Sequence, residues 1–361
     1  MSVRSRWKEL ARWKRGLLSL TMLGLLGFGV IASGIIPIYA SANHPEPFAS
    51  ILDFAKHRSF ATWSTGVERP ESLEADDVLV MRGAGHFEQG CRFCHGTPWD
   101  RPPWARDALS PPPPELEDIA SEYDASELYL IVTHGVVFTA MPAWPDRTRE
   151  DEPWAVVAFL RALPDMDRDE YQELVQVEVP EDVEVPESVR ERCIHCHGVD
   201  GLGREGAFPM LAGQRRAVLE AALQAYADGE RHSGFMELPT ADLDSRNIEA
   251  AAAYFAALPG LGARRPLEGG DGARIISEGI PERHIPACGD CHGPAEHEHA
   301  EVHPILAGQH ARYLEEQLRL FERGVRGGSE HAERMDPVAN HSLRPAERRA
   351  VAEAYESLGA D

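Results

Sequence analysis

The sequence predicts an all-α chain: one N-terminal transmembrane helix followed by three small domains, the last two an internal duplication. Three observations predict it. An uncharged run of 25 residues, Gly16 to Ala40, follows a basic tail. The motif Cys-x-x-Cys-His occurs three times, as Cys91-Arg-Phe-Cys94-His95, Cys193-Ile-His-Cys196-His197 and Cys288-Gly-Asp-Cys291-His292. Finally, Pro209-Met-Leu-Ala-Gly-Gln214 returns as Pro304-Ile-Leu-Ala-Gly-Gln309, at the 95-residue offset that also separates the second and third motifs.

The three motifs use all six cysteines of the chain. Each has the spacing that attaches a c-type haem: two thiols add to the vinyl groups as thioethers, and the adjacent imidazole becomes the proximal iron ligand. The expected cofactor is therefore three covalently bound haem c groups, held by Cys91, Cys94, Cys193, Cys196, Cys288 and Cys291 and ligated by His95, His197 and His292. A glycine follows each histidine, so the chain can turn away without crowding the porphyrin edge. Two other chemistries use Cys-x-x-Cys. A closed zinc site takes two such pairs, and three pairs, each with its own histidine, divide poorly. A structural disulfide is the other, although such a loop is more often redox-active.

The elements follow in order. Residues 1–15 carry Arg4, Arg6, Lys8, Arg12, Lys14 and Arg15 against Glu9 alone, and by the positive-inside rule this tail stays in the cytoplasm. Residues 16–40 would span roughly 37 Å as a helix at about 1.5 Å per residue, enough to cross a core of roughly 30 Å. Ala40-Ser41-Ala42 has the small-residue pattern of a cleavage site, which makes a cleaved export signal the competing reading. Either way the bulk of the chain lies on the periplasmic side of a bacterial inner membrane.

Residues 41–71 form a connector in which Phe48, Ile51, Leu52, Ala55 and Phe60 would make one face of a short helix, on the membrane surface or against the first domain. The first domain covers 72–164, opening with a helix over Val78 to Gln89 and closing with one over Asp151 to Ala162. Its proline run, Pro111 to Pro114, must loop around the haem edge. Residues 165–187 are acidic and proline-punctuated and read as an extended linker. The second domain covers 188–260 and the third 261–361. Each places an amphipathic helix after its Gly-Gln and ends in a closing helix, Asn247 to Leu258 and Pro345 to Leu358.

The sixth iron ligand decides whether such a site binds small molecules or only passes electrons. Met141, Met236 and Met335 follow their proximal histidines by 46, 39 and 43 residues, each in a stretch read as a loop before the closing helix. Core methionines fill apolar gaps, and a polar or proline-bounded loop is a poor place for one. His134, His232 and any of His299, His303 and His331 are the competing ligands. A thioether favours ferrous iron, so His/Met ligation sets a higher reduction potential than His/His.

The formal charge is −23, and about −28 without the basic tail, which excludes a nucleic-acid partner. The acidic surface either steers a basic partner or serves solubility in salt. No nucleophile triad, phosphate loop or paired general acid and base stands out, so the chain does not read as an enzyme.

Residues 186–361, with the Pro-x-Leu-Ala-Gly-Gln element, the Tyr/Leu helix after it and a methionine before an Ala-rich closing helix, resemble the tandem diheme cytochromes c of the type-four class. The first domain resembles a different small, class I-like cytochrome c through Gly83-Ala-Gly-His-Phe-Glu-Gln-Gly-Cys91 and Thr133-His-Gly-Val-Val-Phe-Thr-Ala-Met-Pro-Ala-Trp144. The likeness departs at Ala241 to Arg246, where the family's acidic helix start is weaker, and in a second loop four residues shorter than the third between Gly-Gln and Met. The resemblance implies a membrane-anchored electron carrier that donates to a haem–copper terminal oxidase. The alternative is the electron-accepting cytochrome subunit of a periplasmic dehydrogenase. Its partners are then the membrane and a redox protein, either a terminal oxidase or an upstream cytochrome or dehydrogenase.

Overall fold

A computed structural model describes residues 3–36, 39, 45–73, 75–293, 302–328, 332–335, 338 and 343–359. Among the described residues every regular element is helical, apart from two isolated bridges. The helices are α1 (Val3–Ala32), α2 (Glu46–Trp63), α3 (Asp77–His86), α4 (Arg92–His95), α5 (Pro103–Ala108), α6 (Leu116–Glu122), α7 (Ala125–His134), α8 (Pro153–Ala162) and α9 (Arg168–Val175). After them come α10 (Glu187–Arg192), α11 (Ile194–His197), α12 (Arg216–Ala227), α13 (Gly234–Thr240) and α14 (Ser245–Ala257). The last are α15 (Asp271–Glu278), α16 (Gly289–His292), α17 (Ala311–Glu322) and α18 (Pro345–Ser357).

The expected span over 16–40 is not one helix. Helix α1 stops at Ala32, two residues before Gly34 turns left-handed at φ 69°. Its uncharged part, 16–32, measures about 25 Å at 1.5 Å per residue. Among the described residues no helix is long and apolar enough to cross a membrane. The apolar side chains of α1 are nonetheless exposed, Leu23 to 72% and Ile31 to 71%. Helix α2 realises the connector as a helix, and its second half packs on the first domain: Phe60 joins that core and His57 stacks on Tyr123 at 4.7 Å. Phe48, Ile51 and Phe54 stay exposed.

In the first domain α3 and α8 cross where Gly83 meets Ala155. A Cβ on Gly83 would lie 2.0 Å from the Ala155 carbonyl oxygen, so only glycine permits the approach. The third domain repeats the contact, with Gly272 the same distance from the Ala350 carbonyl oxygen. Helix α8 is buried from Pro153 to Leu160, and full burial of side chains such as Val157 and Phe159 contributes about 1.5–3 kcal/mol each. The helix begins at Pro153 rather than Asp151, with proline at the first helical position, where its missing N–H costs nothing. Helix α3 ends at His86 and widens into a π turn, Phe87–Cys91, that delivers the first cysteine.

The segment 165–187 is not wholly extended. Asp167 and Glu170 form a capping box that starts α9, whose Tyr171 and Val175 are buried in the first domain. Beyond it Val177, Val179, Val183 and Val185 pack on the core of the second. Asp244 caps α14 by accepting from the Asn247 amide at 2.9 Å, so the weaker acidic start still works as a cap.

The second and third domains are clasped by the glutamines of their repeated element. Gln214 donates to the Ile305 carbonyl at 3.0 Å and accepts from the Ile305 amide at 2.9 Å. Gln309 makes the reciprocal pair with Met210, both at 2.9 Å. Four backbone groups are thus satisfied across the junction by two side chains. Replacing either glutamine by Ala should cost about 1–3 kcal/mol by stranding an amide and a carbonyl. Thermal unfolding and proteolysis at residues 258–266 would show it; an unchanged profile in the double Gln214→Ala/Gln309→Ala variant would refute the clasp.

Candidate functional site

Each Cys-x-x-Cys-His forms one helical turn, with the first cysteine as its N-cap: α4 after Cys91, α11 after Cys193 and α16 after Cys288. Positions i, i+3 and i+4 share one face of a helix, so both sulfurs and the imidazole are presented to the same side. The turn is closed by the His197 and His292 amides donating to the Cys193 and Cys288 carbonyls at 3.0 and 2.9 Å. Gly96 and Gly198 then reverse the chain at φ 66° and 78°, as expected; Gly293 does not, at φ −79°. A Cβ on Gly96 would lie 2.5 Å from the Asp100 carbonyl oxygen.

The three histidines share one further feature. Their Nδ1 atoms face a proline carbonyl: Pro114 for His95 at 3.4 Å, Pro209 for His197 at 3.0 Å and Pro304 for His292 at 3.0 Å. A carbonyl can only accept, so Nδ1 carries the proton and Nε2 keeps its lone pair for a metal. Burial pushes the His197 and His292 imidazoles down to about 4, and that of His95 down as well, which keeps the rings neutral at pH 7.

The competing chemistries fare poorly. None of the six cysteines is in a disulfide. Burial pushes the thiols of Cys91, Cys193 and Cys196 up to about 12 and Cys288 to about 11, far from a reactive thiolate. Among the described residues the one group of His, Cys, Asp and Glu side chains able to hold a metal is Asp146, His232 and Glu237, with no cysteine.

A haem c also brings two carboxylates that need partners, and a fit can be tested on the buried cations. Arg231 and Arg326 are 95 residues apart, at equivalent places in the repeat. Each lies over the aromatic ring five residues earlier, Arg231 over Tyr226 at 4.5 Å and Arg326 over Phe321 at 5.3 Å. Arg231 donates to Tyr313 and Gln317, both at 3.2 Å, and Arg326 to Gln317 at 2.9 Å. Burial and the neighbouring Arg231 push Arg326 down to about 10. Among the described residues neither has a carboxylate partner. Two guanidiniums, Arg231 buried and Arg326 half-buried, close to each other and hydrogen-bonded to neutral groups, suit an incoming carboxylate. The site therefore fits haem: the cysteines and histidines would hold its ring and iron, and Arg231 and Arg326 its acid groups. A haem iron cycles between ferric and ferrous and supplies the one-electron chemistry.

The sixth-ligand candidates fall in different settings. Met141 lies in a loop folded back on the end of α7: its amide donates to Thr139 Oγ1 at 3.1 Å and its carbonyl accepts from the Val136 amide at 3.3 Å. Met236 is not in a loop but in the first turn of α13, capped by Ser233, and Met335 ends a 3₁₀ turn, Ala332–Met335. Both are part-buried. His232 Nδ1 is 2.7 Å from Asp146 of the first domain, a cross-domain partner. His303 stands beside His292, ring centroids 5.9 Å apart, at the repeat position of Phe208 beside His197. His134 is exposed at the end of α7; His299 and His331 lie outside the described residues.

Sequence reasoning missed Arg231 and Arg326. The signal was present, since both sit on the same 95-residue register as the cysteines and glutamines.

Residues 78–160 match the family model described as "Cytochrome C oxidase, cbb3-type, subunit III". The chain is similar to the "Thiosulfate dehydrogenase electron acceptor" of Thiomonas intermedia, 36% identical over 38% of this chain and 65% of that protein. The protein of the same name from Stutzerimonas stutzeri is 35% identical over 46% of this chain and 79% of its own length. The cytochrome c4 of Pseudomonas aeruginosa is 32% identical over 41% and 74%. With Cys-x-x-Cys-His turns, oriented imidazoles and these relatives, the chain belongs to the cytochrome c family.

Proposed function

We propose that the chain is a membrane-attached, periplasm-facing cytochrome c with three haems, one per domain, that carries electrons in a respiratory chain and delivers them to a haem–copper terminal oxidase. The observation that carries the three-haem reading is the threefold repetition of one geometry, a Cys-x-x-Cys-His turn with its Nδ1 held by a proline carbonyl. His95, His197 and His292 are the fifth ligands and Met141, Met236 and Met335 the sixth. With both axial positions filled by the protein, such sites pass electrons and do not bind substrate. Exchanging one of these methionines for Ala should open one site. The thioether charge-transfer band of that haem would vanish, its potential would fall and carbon monoxide would bind it. An unchanged spectrum and potential would rule that methionine out.

Delivery to an oxidase is supported by the first domain's match to the subunit III model of a cbb3-type oxidase. Acceptance from a dehydrogenase is favoured by a separate observation, the relatives named as electron acceptors of thiosulfate dehydrogenase. The two readings are told apart by adding the reduced protein to membranes lacking it. Cyanide-sensitive oxygen uptake supports oxidase donation. No uptake, together with rapid reduction of the oxidised protein by a thiosulfate dehydrogenase and thiosulfate, assigns it to the dehydrogenase.

Membrane attachment is supported by the exposed apolar side chains of α1 behind a basic tail. Snorkelling of Lys14 would extend the apolar stretch toward the thickness of a bilayer core. The protein should stay in the membrane pellet after alkaline carbonate extraction; release into the supernatant would contradict the anchor.

A further inference from the structure

Arg149 belongs to the first domain, yet its side chain is 6% exposed and meets all three. A guanidinium has five N–H donors fixed in one plane. Here four have an acceptor, and Glu152 adds an ion pair. Nε and Nη2 reach both oxygens of Asp151 at 3.0 and 2.7 Å, and Nη2 also reaches Glu316 Oε1 at 2.8 Å. Nη1 lies 2.9 Å from Glu152 Oε1 and donates to the His232 carbonyl at 3.2 Å. Asp151 and Glu152 are of the first domain, His232 of the second and Glu316 of the third. Arg82, again of the first domain, takes the other oxygen of Glu316 at 2.8 Å and donates to the Ala207 carbonyl of the second.

Glu152 extends the junction. Its carboxylate accepts from Trp144 Nε1 at 3.1 Å, the Gly234 amide at 2.7 Å and Ser233 Oγ at 2.6 Å. Trp144 stands three residues after Met141, and Gly234 two before Met236, so one carboxylate holds both segments. Phe235 follows into the first domain, its ring 5.0 Å from His86 and 5.5 Å from Trp144. On the same boundary the two attachment segments approach each other. A Cβ on Gly85 would lie 3.2 Å from Cys196 Sγ, and Gln89 donates to the Arg192 carbonyl at 3.2 Å.

We propose that Arg149 is the positioning residue that docks the first domain on the other two, so that electrons pass between the first site and the second within one fixed body. The proposal rests on the electron-carrier reading above. With haems held at His95 and His197, one electron would pass between them, one iron being oxidised from ferrous to ferric as the other is reduced from ferric to ferrous, with no proton or bond changing hands. The segment 165–187 is then a strap along a closed junction, not a tether on which the first domain swings. Buried charges tolerate no gap: without Arg149, Asp151 and Glu152 lose the guanidinium between them and Glu316 keeps only Arg82. Lysine cannot replace it, having three donors and no plane.

The test uses the full-length holoprotein and two readouts. Cleavage within 176–186 by a glutamate-specific protease reads the open population. Electron transfer between the first and second sites after flash reduction, with and without glycerol, reads whether motion limits it. The wild type should be cut slowly and transfer at a rate indifferent to viscosity. Arg149→Met alone strips the buried Glu152 of its cation, so Arg149→Met/Glu152→Gln, which replaces both partners of the pair, guards against misfolding. That double variant, and Glu316→Gln more mildly, should be cut more than about tenfold faster and transfer more slowly in glycerol. Wild-type transfer that slows in glycerol, or a double variant indistinguishable from wild type in both readouts, overturns the proposal. Haem content is measured beside them: a shortfall in the wild type counts against the electron-carrier reading, while proteolysis still decides the docking.

Discussion

An imidazole offers two nitrogens, and a haem iron needs one of them unprotonated and aimed. In all three domains a proline carbonyl takes the Nδ1 proton, so the choice is made before any metal arrives. Proline suits this role because its ring fixes φ and its missing N–H leaves no competing donor beside the carbonyl. Two of these prolines, Pro209 and Pro304, begin the Pro-x-Leu-Ala-Gly-Gln elements whose glutamines clasp the second domain to the third. In those domains the orientation of the proximal ring and the closure of the junction are thus set by one short stretch of chain, and a shift in one would be felt in the other.

The junctions concentrate charge inside a strongly acidic protein. Most of the 59 acidic residues lie outside these contacts, but Glu152 and Glu316 are drawn in to meet Arg149 and Arg82. Arginine serves where lysine would not, because its planar fork can satisfy acceptors from three directions while staying charged. Arg231 and Arg326 differ from Arg149 in having only neutral partners among the described residues, and so are the cations suited to the acid groups of a porphyrin.

Much of this was legible from the residues. Covalent haem attachment needs its cysteines and histidine at fixed spacing, and a duplication leaves its register in the sequence. Those signals pointed to the all-helical class, to the repeat, and to the cysteines and histidines that the structure sets on three helical turns. Packing was harder to read. The acidic stretch 165–187 looks like a free linker by composition, yet Tyr171 and Val175 bury against the first domain because a capping box starts a helix there. The uncharged run 16–40 looks like one helix, but α1 ends at Ala32 before the left-handed turn at Gly34. Met236 looked like a loop residue because Pro239 follows it, yet Ser233 caps a short helix that contains both. Long-range partners such as Arg149 and Glu316 carry no local signal, since only the fold brings positions 167 residues apart together.

Three haems fixed at three like sites are the centre of this reading, and they can be counted. Pyridine haemochrome content per mole of purified chain, paired with intact mass, measures both number and covalency. Three haems per chain are expected, falling to two when Cys91 and Cys94, Cys193 and Cys196, or Cys288 and Cys291 are replaced in turn by Ser. Two or fewer in the unaltered chain, or a mass showing a motif without its haem, would contradict it.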